Sequence, residues 1–100
     1  MNTGLERLDV AAGRVVGVGL SCSRPMAYLR ANAVILAAGG FEQSQAMRDR
    51  CMAVPTDAKW SLTPPGANVG DAIRAGEAIG AATEFMGCAW WAPSRSLASI

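Results

Sequence analysis

Residues 33–38 read Ala-Val-Ile-Leu-Ala-Ala, and Gly39-Gly40 stop the run. A short apolar run without alternation has no polar face to show to water. It suits a strand buried on both faces, as in a parallel sheet with helices above and below. Such a strand demands cover on two sides, and only 100 residues are here to supply it. A chain this short exposes much of its surface and needs many polar residues to do so. Yet only 17% of its residues are charged, where about 25% is usual. Nineteen alanines and eleven glycines point to tight packing against something further. The pattern predicts a piece of a larger domain. The alternative is an alanine-rich small domain that folds alone.

Several function classes fall away on composition. Nine basic against eight acidic side chains leave a net charge of +1. No basic excess exists to neutralise phosphates, so nucleic acid is not an expected partner. The 51% hydrophobic content argues against disorder. The longest uncharged stretches, such as 31–41, run about eleven residues, whereas a membrane span needs roughly 18 to 20. The opening residues lack the basic-then-apolar pattern, so no signal peptide is expected in them. Three cysteines (Cys22, Cys51, Cys88) are widely spaced, with no CxxC and no histidine anywhere. Metal binding is therefore not expected, and no Cys–His or Ser–His–Asp arrangement can form within these residues. An odd cysteine count without a targeting signal fits a reducing, cytoplasmic compartment.

Along the chain, residues 5–10 read as a short strand, Ala11 to Gly13 as a turn, and Arg14 to Leu20 as a second strand, together a hairpin. Pro25 interrupts, and Met26 to Arg30 form a third short strand. Ser44 to Met52 has a helical pattern. Residues 54–68 make a long connection with Pro55, Pro64, Pro65 and Gly66, too long for an idle loop. Gly70 to Phe85 is the clearest helix, with Ala72, Ile73, Gly76, Ile79, Gly80 and Thr83 on one side. Ala72, Gly76 and Gly80 form a ladder that permits close approach of a neighbour. Met1 sits just before a hairpin that needs neighbours, which suits an internal start.

Three segments carry chemistry. In Val34 to Phe41, a buried strand ending in Ala-Ala-Gly-Gly brings bare backbone to the carboxyl edge of a sheet, where open α/β sheets bind ligands. The alternative is a plain tight turn. In Gly66 to Ala81, Gly70 and Asp71 sit at a helix start. Asp71 suits the helix dipole and can cap it, or accept a hydrogen bond from a ligand hydroxyl. In Ala89 to Pro93, Trp90 and Trp91 suit the wall of a flat apolar pocket, and core packing of at least one is the alternative. Consecutive residues point differently, so at most one of the two is expected to line it. Gly17 and Gly19 begin a G-x-G, but Cys22 stands where the third glycine is required, so no dinucleotide fingerprint or P-loop is present.

The ordered set "GRVVGV", "AVILAAGGFE", "PPGANVGDAIRAGEAIGA" and "AWW" with Pro93 resembles the FAD-binding domain of the fumarate reductase and ketosteroid dehydrogenase flavoproteins. The resemblance runs from about Leu8 to Ser94. It implies an α/β fold: a fragment of a Rossmann-like FAD-binding domain, a β-meander then a parallel strand and helices, with residues 1–100 as one partial domain. It implies FAD as cofactor, with Ala38, Gly39, Gly40, Gly70 and Asp71 as contacts. Trp90 and Trp91 become substrate-pocket candidates. No catalytic residue is assigned, and Tyr28, the one tyrosine, lies in the meander. The family's Thr-Gly-Asp-Gly is Val69-Gly70-Asp71-Ala72 here, so a hydroxyl and a glycine are lost. The missing histidine, the tryptophan pair and Lys59-Trp60-Ser61-Leu62 favour the ketosteroid dehydrogenase branch.

The implied reaction forms a C=C bond next to a ketone. A base takes the α-proton, and the flavin takes hydride from the β-carbon. The implied partners are the remainder of the flavoenzyme chain and a small hydrophobic substrate, a steroid or cyclic enone. The family's G-x-G-x-x-G and its catalytic tyrosines belong elsewhere in such an enzyme, so the isolated chain is expected to be inactive. The other readings are a fumarate reductase-like flavoprotein and a non-catalytic, truncated or partner-dependent module.

Overall fold

The computed structural model describes residues 3–22 and 26–93; Met1, Pro25 and Ser94 lie outside them. Three antiparallel strands open the chain in the order β1 (Gly4–Ala11), β2 (Arg14–Ser21) and β3 (Ala27–Arg30). Ala11 pairs with Arg14, so the connection shrinks to Ala12-Gly13. Their φ values are 50° and 75°. Positive φ at both central residues marks the hairpin turn whose twist matches its strands. The meander is thus as the sequence predicts, with the turn one residue shorter. Gly17 and Gly19 are explained by packing within the sheet. A Cβ at Gly17 would strike the Leu29 carbonyl and the Tyr28 ring, and one at Gly19 would meet Arg7 Cγ at 3.0 Å.

Helix α1 spans Gln45–Cys51. Ser44 caps it, its oxygen accepting from the Met47 N–H at 3.4 Å. Helix α2 spans Asp71–Ala78 and packs on β1. It ends well short of Phe85, and Gly80 is the reason. Gly80 takes φ 86°; its N–H donates to Glu77 O and that of Ala81 to Gly76 O, both at 3.0 Å. This pair of bonds over a left-handed glycine terminates a helix. The expected ladder therefore divides: Ala72 and Gly76 are buried helix positions, while Gly80 is the stop. The face that meets Gly76 belongs to the apolar run, since Leu36 Cδ1 lies 3.5 Å from where a Cβ would stand.

The run 33–38 departs from expectation. It has no regular secondary structure, among the described residues no strand pairs with it, and Ile35 is 90% exposed. A strand needs backbone partners as well as an apolar sequence, and none of the three described strands pairs with this run. The buried apolar core is correspondingly small: Leu8, Met47, Ala72 and Ala75. The accessible surface is 7845 Å², against about 5,400 Å² for a folded monomer of this mass. The radius of gyration is 15.9 Å, against about 13 Å for 100 residues. The architecture is α/β with faces left open, as the low charge content anticipates. Among the described residues no helix is long and apolar enough to cross a membrane.

Candidate functional site

Two turns from distant parts of the sequence meet. The first, 39–43, follows the apolar run and leads into α1. The second, 66–71, leads into α2. Both need left-handed backbone: Gly39, Gly66 and Gly70 have φ near 80°, and Asn68 has 49°. The turns are joined by Asn68. Its backbone carbonyl accepts from the Gln43 N–H at 3.2 Å, and its Nδ2 donates to Glu42 Oε1 at 2.6 Å. Arg48, buried on α1, adds Nε to the Glu42 carbonyl at 2.8 Å. Its Nη1 is buried and has no hydrogen-bond partner.

Gly70, not Asp71, occupies the cap position of α2. A Cβ there would collide with Met47 Sδ and lie 2.9 Å from Phe41 Cβ. The close approach that requires glycine at this point is thus to the chain itself. Asp71 stands in the first helical turn, where a carboxylate meets the positive end of the dipole. Its Oδ2 accepts from the Leu5 N–H at 3.3 Å, tying α2 to β1. Its Oδ1 accepts from the Ala72 N–H at 3.1 Å. A carboxylate has about four acceptor positions, so Asp71 retains capacity for a ligand hydroxyl.

The Ala38–Gly40 backbone lies between two concavities. On one side a hollow of about 560 Å³ is walled by Ala38, Asn68, Asp71 and Arg74 with Gly4 and Ser21 of the meander. On the other side a groove of about 460 Å³ is lined by Gly40, Phe41, Arg48, Trp60, Trp90 and Trp91 among others. Ala38 and Asp71 therefore share the polar hollow, while Gly40 and both tryptophans share the aromatic groove. The sequence argument allowed one tryptophan at the groove. Both reach it because 89–93 is irregular and not a strand or helix. Trp90 is fully exposed and Trp91 more than half.

The long connection 54–68 is no idle loop. Gln43 Nε2 donates to the Thr63 carbonyl at 2.7 Å and Gln45 Nε2 to the Thr56 carbonyl at 2.8 Å. The Ala58 N–H returns a bond to Gln45 Oε1 at 2.8 Å. Held this way, its short 3₁₀ turn, Ala58–Trp60, brings Trp60 to the groove. Glu42, Arg48 and Asn68 were not singled out by the sequence. The one signal for Asn68 is its residue type, since asparagine tolerates left-handed backbone and is common in turns.

Comparison with known proteins places this geometry. The family model described as FAD binding domain matches residues 1–98. The chain belongs to that family. It is 37% identical to the 3-oxosteroid 1-dehydrogenase of Mycolicibacterium smegmatis over 97% of its own length and 18% of that protein. It is 36% identical to the 4-oxocyclohexanecarboxylate 2-dehydrogenase of Sinomonas cyclohexanicum over 81% of this chain and 13% of that protein. The crystal structure of the 3-ketosteroid delta1-dehydrogenase of Sterolibacterium denitrificans, in complex with 1,4-androstadiene-3,17-dione, superposes with a TM-score of 0.85. That match has 42% identity and covers 97% of this chain and 18% of that one. The chain thus spans under a fifth of the relatives it matches so fully. The residues present fit FAD in kind. Ala38, next to the bare backbone of Gly39 and Gly40, walls a polar hollow, and Asp71 in that hollow has acceptor capacity to spare.

Proposed function

We propose that these residues are part of an FAD-dependent oxidoreductase that introduces a C=C bond next to the ketone of a steroid or related cyclic substrate. The observation that carries this reading is the match to a ketosteroid dehydrogenase structure across nearly the whole chain, at 42% identity. In this reading residues 1–100 form one portion of a Rossmann-like FAD-binding domain. The 33–38 run is a strand of its parallel sheet, paired by chain outside these residues. The exposed Ile35 and the excess surface support that placement. The remainder of the flavoenzyme is then the first partner. In this reading the setting is cytoplasmic, as the odd cysteine count anticipates.

Ala38, Gly39, Gly40 and Asp71 hold the cofactor, and Gly70 sets the helix start that presents Asp71. Bound FAD supplies the acceptor for hydride leaving the substrate β-carbon. Trp90 and Trp91, with Trp60, exclude water and give an apolar ring a flat wall. The α-proton is taken by a base outside these residues.

A second reading keeps the reaction and changes the substrate. Arg48 lies in the groove wall with Nη1 buried and unpartnered, and a relative is named for a keto-acid with a cyclohexane ring. A substrate carboxylate would suit that guanidinium.

The test is to express the complete reading frame that contains these residues. Bound flavin and dye reduction with 3-ketosteroids are expected. Dye reduction only with 4-oxocyclohexanecarboxylate selects the second reading. A protein that purifies without flavin and takes up none refutes both.

A further inference from the structure

We propose that Glu42 and Asn68 are positioning residues for the flavin: one side-chain pair, set beneath Gly39 and Gly40, holds both cofactor-contact turns in register. The inference rests on the reading above that these turns contact FAD. It concerns how two irregular segments keep a fixed separation.

The space a Cβ would occupy at each glycine is already filled. At Gly39 it is taken by the Asn68 side-chain amide. At Gly40 it lies 2.8 Å from Glu42 Oε2. Gly39 is required both by its φ of 78° and by the Asn68 amide, while at Gly40 a side chain would displace the carboxylate end of Glu42. Asn68 meets three demands together. It accepts φ 49°, its Nδ2 donates to Glu42 Oε1 at 2.6 Å, and its carbonyl accepts from the Gln43 N–H. Arg48 Nε fixes the Glu42 carbonyl from α1. The pair is half-buried, so the short bond to a carboxylate is charge-assisted and little screened. Asn68 also stands in the wall of the hollow between Ala38 and Asp71. A shift in the pair moves Gly39–Gly40 relative to Asp71, and displacements near 1 Å are enough to degrade a preorganised site.

The experiment uses the flavin-loaded full-length protein. Asn68→Asp sets two carboxylates against each other with almost no change of shape. The double variant Glu42→Gln/Asn68→Asp restores one donor and one acceptor with reversed polarity. Asn68→Asp is expected to weaken FAD binding by about tenfold or more and to shift the flavin absorption bands, with the far-UV circular dichroism unchanged. The double variant is expected to return affinity and spectrum to near the parent. Glu42→Ala reads the same pair from the other side if Asn68→Asp does not fold. Parental affinity and spectrum in Asn68→Asp, or in Glu42→Ala, overturn the inference. So does an Asn68→Asp defect that the double variant leaves unrepaired. A parent protein without flavin instead overturns the function proposed above, and the inference falls with it.

Discussion

Gly70→Ala is the most informative single perturbation of this fold. Gly70 holds φ 78° and ψ 20° at the cap of α2. Any residue with a Cβ pays about 1–2 kcal/mol for that backbone. The new methyl would also occupy the position of Met47 Sδ and come 2.9 Å from Phe41 Cβ. Met47 is flexible, but it is only 3% exposed and has nowhere to go. Phe41 Cβ is fixed to its backbone and cannot turn away. Overpacking of this kind costs about 1–3 kcal/mol. The two effects together predict a loss of about 2–5 kcal/mol. Urea unfolding of the full-length flavoprotein, followed by circular dichroism, reads it as a lower midpoint at constant slope. Met47→Ala alone should cost about 2–5 kcal/mol. In the Gly70→Ala background it should cost at least about 1 kcal/mol less, because it removes the clash. A Gly70→Ala loss below about 1 kcal/mol, or strict additivity with Met47→Ala, refutes the packing argument.

Asp71→Ala should release flavin during gel filtration and lower stability by about 1 kcal/mol through the lost bonds to Leu5 and Ala72; unchanged flavin content removes Asp71 from the site. Ala12→Asn should stabilise by about 0.5–1 kcal/mol in urea unfolding, since asparagine tolerates φ 50° better than alanine does. Arg50 donates to both Glu77 oxygens at 3.0 Å across α1 and α2, yet the pair is largely exposed. Arg50→Ala should therefore lower the urea midpoint only slightly, and the difference should vanish in high salt. Bonds to Cys51 and then Glu77 raise the Arg50 pKa. The folded value lies above the unfolded one, so the arginine's contribution is complete below the ordinary arginine range and fades only as pH climbs through it. A stability difference that changes between about pH 6 and 7, where neither arginine nor carboxylate ordinarily titrates, would contradict this.

Local patterns were readable because they depend on neighbours in sequence. Two short strand patterns either side of a glycine-containing turn marked the hairpin, and the helical pattern from Ser44 marked the start of α1. Ala37-Ala38-Gly39-Gly40 and Gly70-Asp71 stood out because glycine and a helix-start carboxylate have local conformational reasons. The end of α2 was misread for the same reason. Amphipathic spacing continues to Phe85, but the left-handed turn at Gly80 satisfies the last carbonyls and stops the helix there. Burial of 33–38 was legible as a demand, and the described residues do not meet it, because strand pairing is a contact between segments.

Sequence alone therefore determined the class of the chain, its hairpin, its glycine turns and its need for further cover. Only the tertiary structure decided that Asn68 and Glu42 fill the space beneath Gly39 and Gly40. It alone separated a polar hollow holding Ala38 and Asp71 from an aromatic groove holding Gly40, Trp60, Trp90 and Trp91. Residues 26 apart have no pattern in common until folding sets an amide 2.6 Å from a carboxylate, and that bond, with the one from the Gln43 N–H to the Asn68 carbonyl, joins the two turns.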